Sequence, residues 1–102
     1  MVRPKKIPVI WDIEAVLYLR EIIKYIRKES EQGAKSVKSG ILKSVKLLSE
    51  NPEIFEEDRF KESNDGSYRA FTVYSYRITY RITSENIRIL RIRHTSQEPL
   101  EY

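Results

Sequence analysis

Apolar positions change their period along this chain, and the changes mark its elements. The run "IPVIW" at 7–11 is apolar with β-branched members, which predicts a strand. Pro8 has no N–H for a ladder, so the run belongs at a sheet edge or a strand start. Asp12 follows at a helix N-cap place, with Glu14 in the first turn, where negative charge suits the helix dipole. Ala15, Leu19, Ile22, Ile23 and Ile26 then recur at three- and four-residue spacing. That is one apolar stripe of a helix running to about Glu31, and Gln32-Gly33 is its expected break. Ala34, Val37, Ile41, Val45 and Leu48 form a second stripe, closed by Asn51-Pro52. Gly40 lies inside that helix at a cost of roughly 1 kcal/mol against Ala, which points to a close approach of the two helices.

After a polar loop at 52–66 that ends in "NDG", the period falls to two. Near Tyr68 to Val73, alternation places Arg69, Phe71 and Val73 on one side. Tyr76, Ile78, Tyr80 and Ile82 alternate with Arg77, Thr79 and Arg81. "TSEN" at 83–86 is a hairpin turn, and a last strand runs from Ile87 to about Arg93. Regular alternation there puts Arg88, Leu90, Ile92 and His94 on one side and Ile87, Ile89, Arg91 and Arg93 on the other. A bulge or an early strand end would bring His94 round.

The predicted fold is α+β in the order β-α-α-β-β-β, one domain over residues 1–102. The helix hairpin covers one face of a mainly antiparallel sheet, because both apolar stripes need a partner. Trp11 is expected between sheet and first helix, and Tyr76 and Tyr80 in or near the core. The other face stays open and inherits arginines and tyrosines, a floor suited to a nucleic acid.

Composition adds exclusions. The chain has no cysteine and one histidine, which removes disulfides, thiolate metal sites and a Cys nucleophile, and argues against zinc. No metal or cofactor is expected. No apolar run approaches the length of a membrane span and no signal pattern opens the chain, so a cytoplasmic protein is expected. Net charge is +4. Between Ser67 and His94 stand Arg69, Arg77, Arg81, Arg88, Arg91 and Arg93, with Glu85 the single acid and no lysine. Acids gather instead in "ENPEIFEED" at 50–58. Arginine's planar fork matches phosphate or carboxylate oxygens and keeps its charge when half-buried.

Taken in order, the strand entering a helix hairpin, "LLSENP" closing the second helix, "DGSYRAFTVYSYRITYRI" and "IRILRIRHTSQEPLEY" resemble the RelE/ParE superfamily of bacterial type II toxin–antitoxin toxins, the plasmid-stabilisation type. The likeness spans nearly the whole chain. It implies a toxin neutralised by a cognate antitoxin, usually acidic in its toxin-binding segment. RelE-like members are ribosome-dependent endonucleases that cut messenger RNA, whereas ParE-like members block DNA gyrase. Family alone does not choose between these, since function lives in the site.

Metal-free RNA cleavage needs a base for the 2′-hydroxyl, an acid for the leaving oxygen and cations for the phosphate. On the nuclease reading, an mRNA endonuclease, His94 is the proton-transfer candidate, because imidazole changes charge near neutral pH. Arg69 and Arg91 join it in the catalytic set. So does Tyr102, which resembles the C-terminal tyrosine of some nuclease members. Arg93, Lys61, Arg77 and Arg81 are the candidate RNA and phosphate contacts. Each has a plainer role: His94 as a structural hydrogen-bonder, Arg69 as the partner of an acid in the 50s loop, Arg77 and Arg81 as solvated alternates. The same guanidiniums also suit an acidic antitoxin segment. The histidine after the last strand favours the nuclease, so the expected function is metal-independent, ribosome-dependent cleavage of messenger RNA that inhibits translation. A gyrase poison, or a non-toxic antitoxin-binding relative, is the alternative.

Overall fold

The computed structural model describes residues 6–97 and 101–102. Strand β1 (Val9–Trp11) leads into helices α1 (Ile13–Glu29) and α2 (Glu31–Glu50). Strands β2 (Tyr68–Val73), β3 (Tyr76–Ile82) and β4 (Ile87–His94) follow, then a short 3-10 turn at Thr95–Gln97. The sheet runs β1-β4-β3-β2. β2, β3 and β4 form an antiparallel meander, and β1 adds parallel to β4 at the edge, as Pro8 anticipates. No described helix is long and apolar enough to cross a membrane.

The helix hairpin lies on one face of the sheet. Its buried residues are Ala15, Ile22 and Ile23 from α1 and the whole second stripe, Ala34, Val37, Ile41, Val45 and Leu48, from α2. They meet Phe71, Ile78, Tyr80, Ile87, Ile89 and Ile92 of the sheet. Trp11 packs half-buried against this core. Each fully buried Ile contributes about 1.5–3 kcal/mol relative to exposure. Tyr80 is wholly buried and donates its hydroxyl to the Pro52 carbonyl at 2.8 Å. Burial is the main reason its phenol is pushed up to about 12.

Local chemistry departs from the sequence reading at four places. The joint between the helices is the single residue Ser30, not Gln32-Gly33. Ser30 is extended (φ −155°, ψ 111°), and its hydroxyl caps α2 by accepting from the Gly33 N–H at 2.8 Å. A serine that ends one helix and caps the next makes the longer linker unnecessary. Asp12 holds the N-cap position of α1 but makes no side-chain cap bond. Its carboxylate accepts from the Arg88 guanidinium at 2.6 Å instead.

Gly40 serves the sheet and not the helix pair. A Cβ built there would stand 2.8 Å from Val73 Cγ1. Valine at χ1 is stiff, so something must shift. Gly40→Ala is therefore expected to lower stability by about 1 kcal/mol, overpacking of about 1–3 kcal/mol outweighing the helix-propensity gain of about 1 kcal/mol. Urea unfolding checks the sign: an alanine that stabilises means Val73 yields freely.

The fourth departure is a bulge in β4. Thr79 pairs with Arg91 and Tyr80 with Ile89, so Leu90 has no partner across the ladder. The extra residue resets the alternation. Ile87, Ile89, Ile92 and His94 all lie opposite β3 residues of the helix-covered side, Ile82, Tyr80, Ile78 and Tyr76. Arg88, Arg91 and Arg93 lie on the open side. A regular strand would have turned Ile92, or else Ile87 and Ile89, away from the core; one bulge buries all of them.

Candidate functional site

The open face of the sheet carries Arg77 and Arg81 from β3 and Arg88, Arg91 and Arg93 from β4, with Tyr68 of β2 opposite Arg81. Residues 58–62 and Tyr102 lie over it. Tyr102 N–H donates to the Phe60 carbonyl at 3.0 Å, and Glu62 N–H to the Tyr102 carbonyl at 2.6 Å. These bonds pin the aromatic ring of Tyr102 over the guanidiniums: Arg91 sits 4.2 Å from its centroid.

At the centre is Asp58, 1% exposed. It accepts from the Arg77 guanidinium at 2.8 Å, the Tyr102 hydroxyl at 2.5 Å and the Phe60 N–H at 3.0 Å. Burial alone pushes its carboxyl up, but the bonds from Tyr102, Phe60 and Arg77 together outweigh that and hold it below the ordinary range. Asp58 is thus a buried anion that orders one arginine and one tyrosine. For Tyr102 the effects add: burial first, then the neighbouring carboxylate, push its phenol well up. A hydroxyl so held is a poor proton donor or acceptor near neutral pH.

Cations and rings alternate around this centre. Arg77 lies over Phe60 at 4.7 Å, and Lys61 lies over Tyr68 at 4.9 Å and Tyr102 at 5.2 Å. Arg81 covers Tyr68 at 4.9 Å. Lys61 also donates to the Tyr102 carbonyl, and Arg93 to the Gln97 carbonyl at 2.7 Å. Such stacks hold guanidiniums in fixed orientations while leaving charge at the surface. The face is a shaped basic platform, suited to carboxylates or phosphates.

Six of the eight candidates from the sequence meet here: Arg77, Arg81, Arg91, Arg93, Lys61 and Tyr102. Two do not. Arg69 lies on the helix-covered side of β2, opposite Tyr80. It donates to the carbonyls of Phe55 at 2.9 Å and Gly66 at 3.2 Å, tying the 50s loop to the strand through backbone rather than through an acid. His94 lies beyond the sheet from the arginines, its ring edge-on to Tyr76 at 5.3 Å. Its Nδ1 accepts from the Ser96 N–H at 3.1 Å. Arg77, expected as a solvated alternate or phosphate contact, is instead a half-buried structural cation.

Sequence reading missed Asp58, Phe60 and Tyr68. It also passed over Asn64, whose amide donates to the Asp58 and Tyr68 carbonyls and holds the loop against β2. Asp58 is the last acid of the acidic run and precedes a cation–aromatic stretch, "RFK". That was its only signal.

Residues 9–99 match the family model of the ParE toxin of the type II toxin–antitoxin system, parDE. The chain belongs to the ParE toxin family. Among solved structures, the chromosomal ParDE toxin–antitoxin system from P. aeruginosa is similar to it. The TM-score is 0.67 at 20% identity, covering 89% of this chain and 98% of the other. The YoeB dimer from Staphylococcus aureus superposes with TM-score 0.58 at 16% identity, covering 87% of this chain and 97% of the other. At such identities the likeness is one of fold. No curated protein matches this chain in sequence. The ParE-family toxin thus shares its two-helix, four-strand architecture with RelE/ParE superfamily members, and its own side chains must speak for its chemistry.

Proposed function

We propose that this ParE-family toxin acts by binding a protein and not by cutting RNA. The target its resemblance implies is DNA gyrase, and a cognate antitoxin with an acidic segment neutralises it by occupying the guanidinium face. The observation that carries this reading is that His94 and the arginines stand on opposite faces of one sheet. A general base must come within hydrogen-bond reach of the 2′-hydroxyl whose phosphate the cations hold. The sheet that stands between them weighs against that encounter. Tyr102, the other proton-transfer candidate, is committed to Asp58 and carries a raised pKa.

Ribosome-dependent messenger RNA cleavage is the second reading. It draws support from the alternation of rings and cations over Phe60, Tyr68 and Tyr102, which suits a nucleic-acid backbone. One experiment separates the two. On induction, the binding reading expects intact messages and a DNA-damage response. With purified gyrase it expects inhibited supercoiling of relaxed plasmid, or linear DNA. Messages cut within the translated region, with gyrase unaffected, would overturn it.

A further inference from the structure

The helix-covered side has a hollow of about 470 Å³ beside α1, where the strand ends of β3 and β4 emerge. Tyr18, Glu21, Tyr25, Tyr76, His94 and Ser96 line it. Tyr18, Glu21 and Tyr25 recur at three- and four-residue spacing, so they share one side of the helix. Tyr76 and His94 face each other across the β3–β4 ladder. The Tyr18 hydroxyl is anchored by donating to Gln97 Oε1 at 3.1 Å. Burial first, then the neighbouring phenols of Tyr18 and Tyr25, push the Tyr76 hydroxyl up, so the three rings stand within electrostatic reach of one another.

The charge of this hollow differs from that of its neighbours. Four other concavities among the described residues each include lysine or arginine in their walls. This one includes neither. Its charged wall group is Glu21, which makes no ion pair among the described residues. Tyr25 is 66% exposed, a large ring held in water at the rim. Aromatic faces are electron-rich and attract cations, more so beside a carboxylate. On a chain of net charge +4, long-range steering opposes a cation, so any such recognition depends on these local groups.

We propose that this hollow receives a basic side chain, the guanidinium or ammonium head of an arginine or lysine presented by a protein partner, between the tyrosine rings and Glu21. The molecule then has two recognition faces of opposite preference: the open sheet face for anions, and the α1 hollow for a cation. The second does not depend on which target the toxin inhibits.

The test uses the intact toxin and an acetylated, amidated Gly-Arg-Gly peptide at physiological salt, followed by NMR. A matching peptide with citrulline in place of arginine has the same shape without the charge. The expected result is saturable shifts at the Tyr18, Tyr25 and Tyr76 rings, with citrulline at least about tenfold weaker. Glu21→Gln and Tyr25→Ala should each weaken binding by about tenfold, while Tyr25→Phe retains it because the ring face is what acts. Tyr25 and Glu21 are exposed, so thermal melts should show all three variants folded. Equal affinity for citrulline, absence of saturable shifts, or unchanged affinity in Glu21→Gln and Tyr25→Ala would each overturn the proposal.

Discussion

Asp58→Ala is expected to lower the unfolding free energy by about 3–5 kcal/mol at neutral pH, the range for breaking a buried ion pair from one side. Alanine strands the Arg77 guanidinium, whose side chain is 14% exposed, against a site with no countercharge. It also removes the acceptor of the Tyr102 hydroxyl and of the Phe60 N–H. The pH dependence has a definite sign. The folded carboxyl titrates below its unfolded value of about 3.9, so the contribution is complete above that value and fades as pH falls through the folded one. The gap between wild type and variant should therefore narrow in acid and stand at its full, constant size above about pH 5. Urea unfolding from pH 2 to 7 measures this; parallel curves would show that Asp58 contributes nothing through its charge. A second readout is spectroscopic. Without the carboxylate, the Tyr102 phenol loses one of the two causes that raise it and should ionise at lower pH in an ultraviolet titration.

The largest functional effect is expected from reversing the basic platform. Arg81→Glu with Arg91→Glu places two anions where an acidic antitoxin segment would meet two cations. Like charges at an interface cost several kcal/mol. Affinity for the cognate antitoxin, by calorimetry at physiological salt, should fall by on the order of a hundredfold or more, and the salt dependence of the remainder should flatten. Arg81 is exposed, whereas Arg91→Glu gives up the stack on Tyr102, so a thermal melt must show the variant folded before its affinity is read. Unaltered affinity would mean that the antitoxin docks elsewhere, and the role assigned to the open face would have to be given up.

Much of this architecture was legible from periodicity. The residues Ala34, Val37, Ile41, Val45 and Leu48, read as one stripe, are the buried residues of α2. The open face collects five of the six meander arginines because apolar and basic residues alternate in β3. What strict alternation could not express is the slip in β4. Ile87, Ile89 and Ile92 are spaced two and then three, and that uneven interval is itself the mark of a bulge. Read that way, the strand places its arginines together and sends His94 to the other side. The role of Asp58 was not legible, and that of Arg69 was legible only as a tie to the 50s loop, not that its partners are carbonyls. Each depends on where a loop without periodic pattern folds back, and such loops are fixed by single contacts like the Asn64 amide. The helix joint was misjudged for a different reason: glycine is the usual stop, yet an extended serine met both helix ends in one residue.

The parallel pairing of β1 with β4 has a consequence for synthesis. Val9 finds its neighbour only in Ile87, nearly the full length of the chain away. While the protein is being translated, the first strand emerges long before its docking place exists, and the hairpin of helices has no complete surface to rest on. Pairing between such distant segments is intrinsically slow. The sheet can therefore close only once β4 has been made, and a chain cut short before Ile87 lacks Arg88, Arg91 and Arg93 of the basic platform.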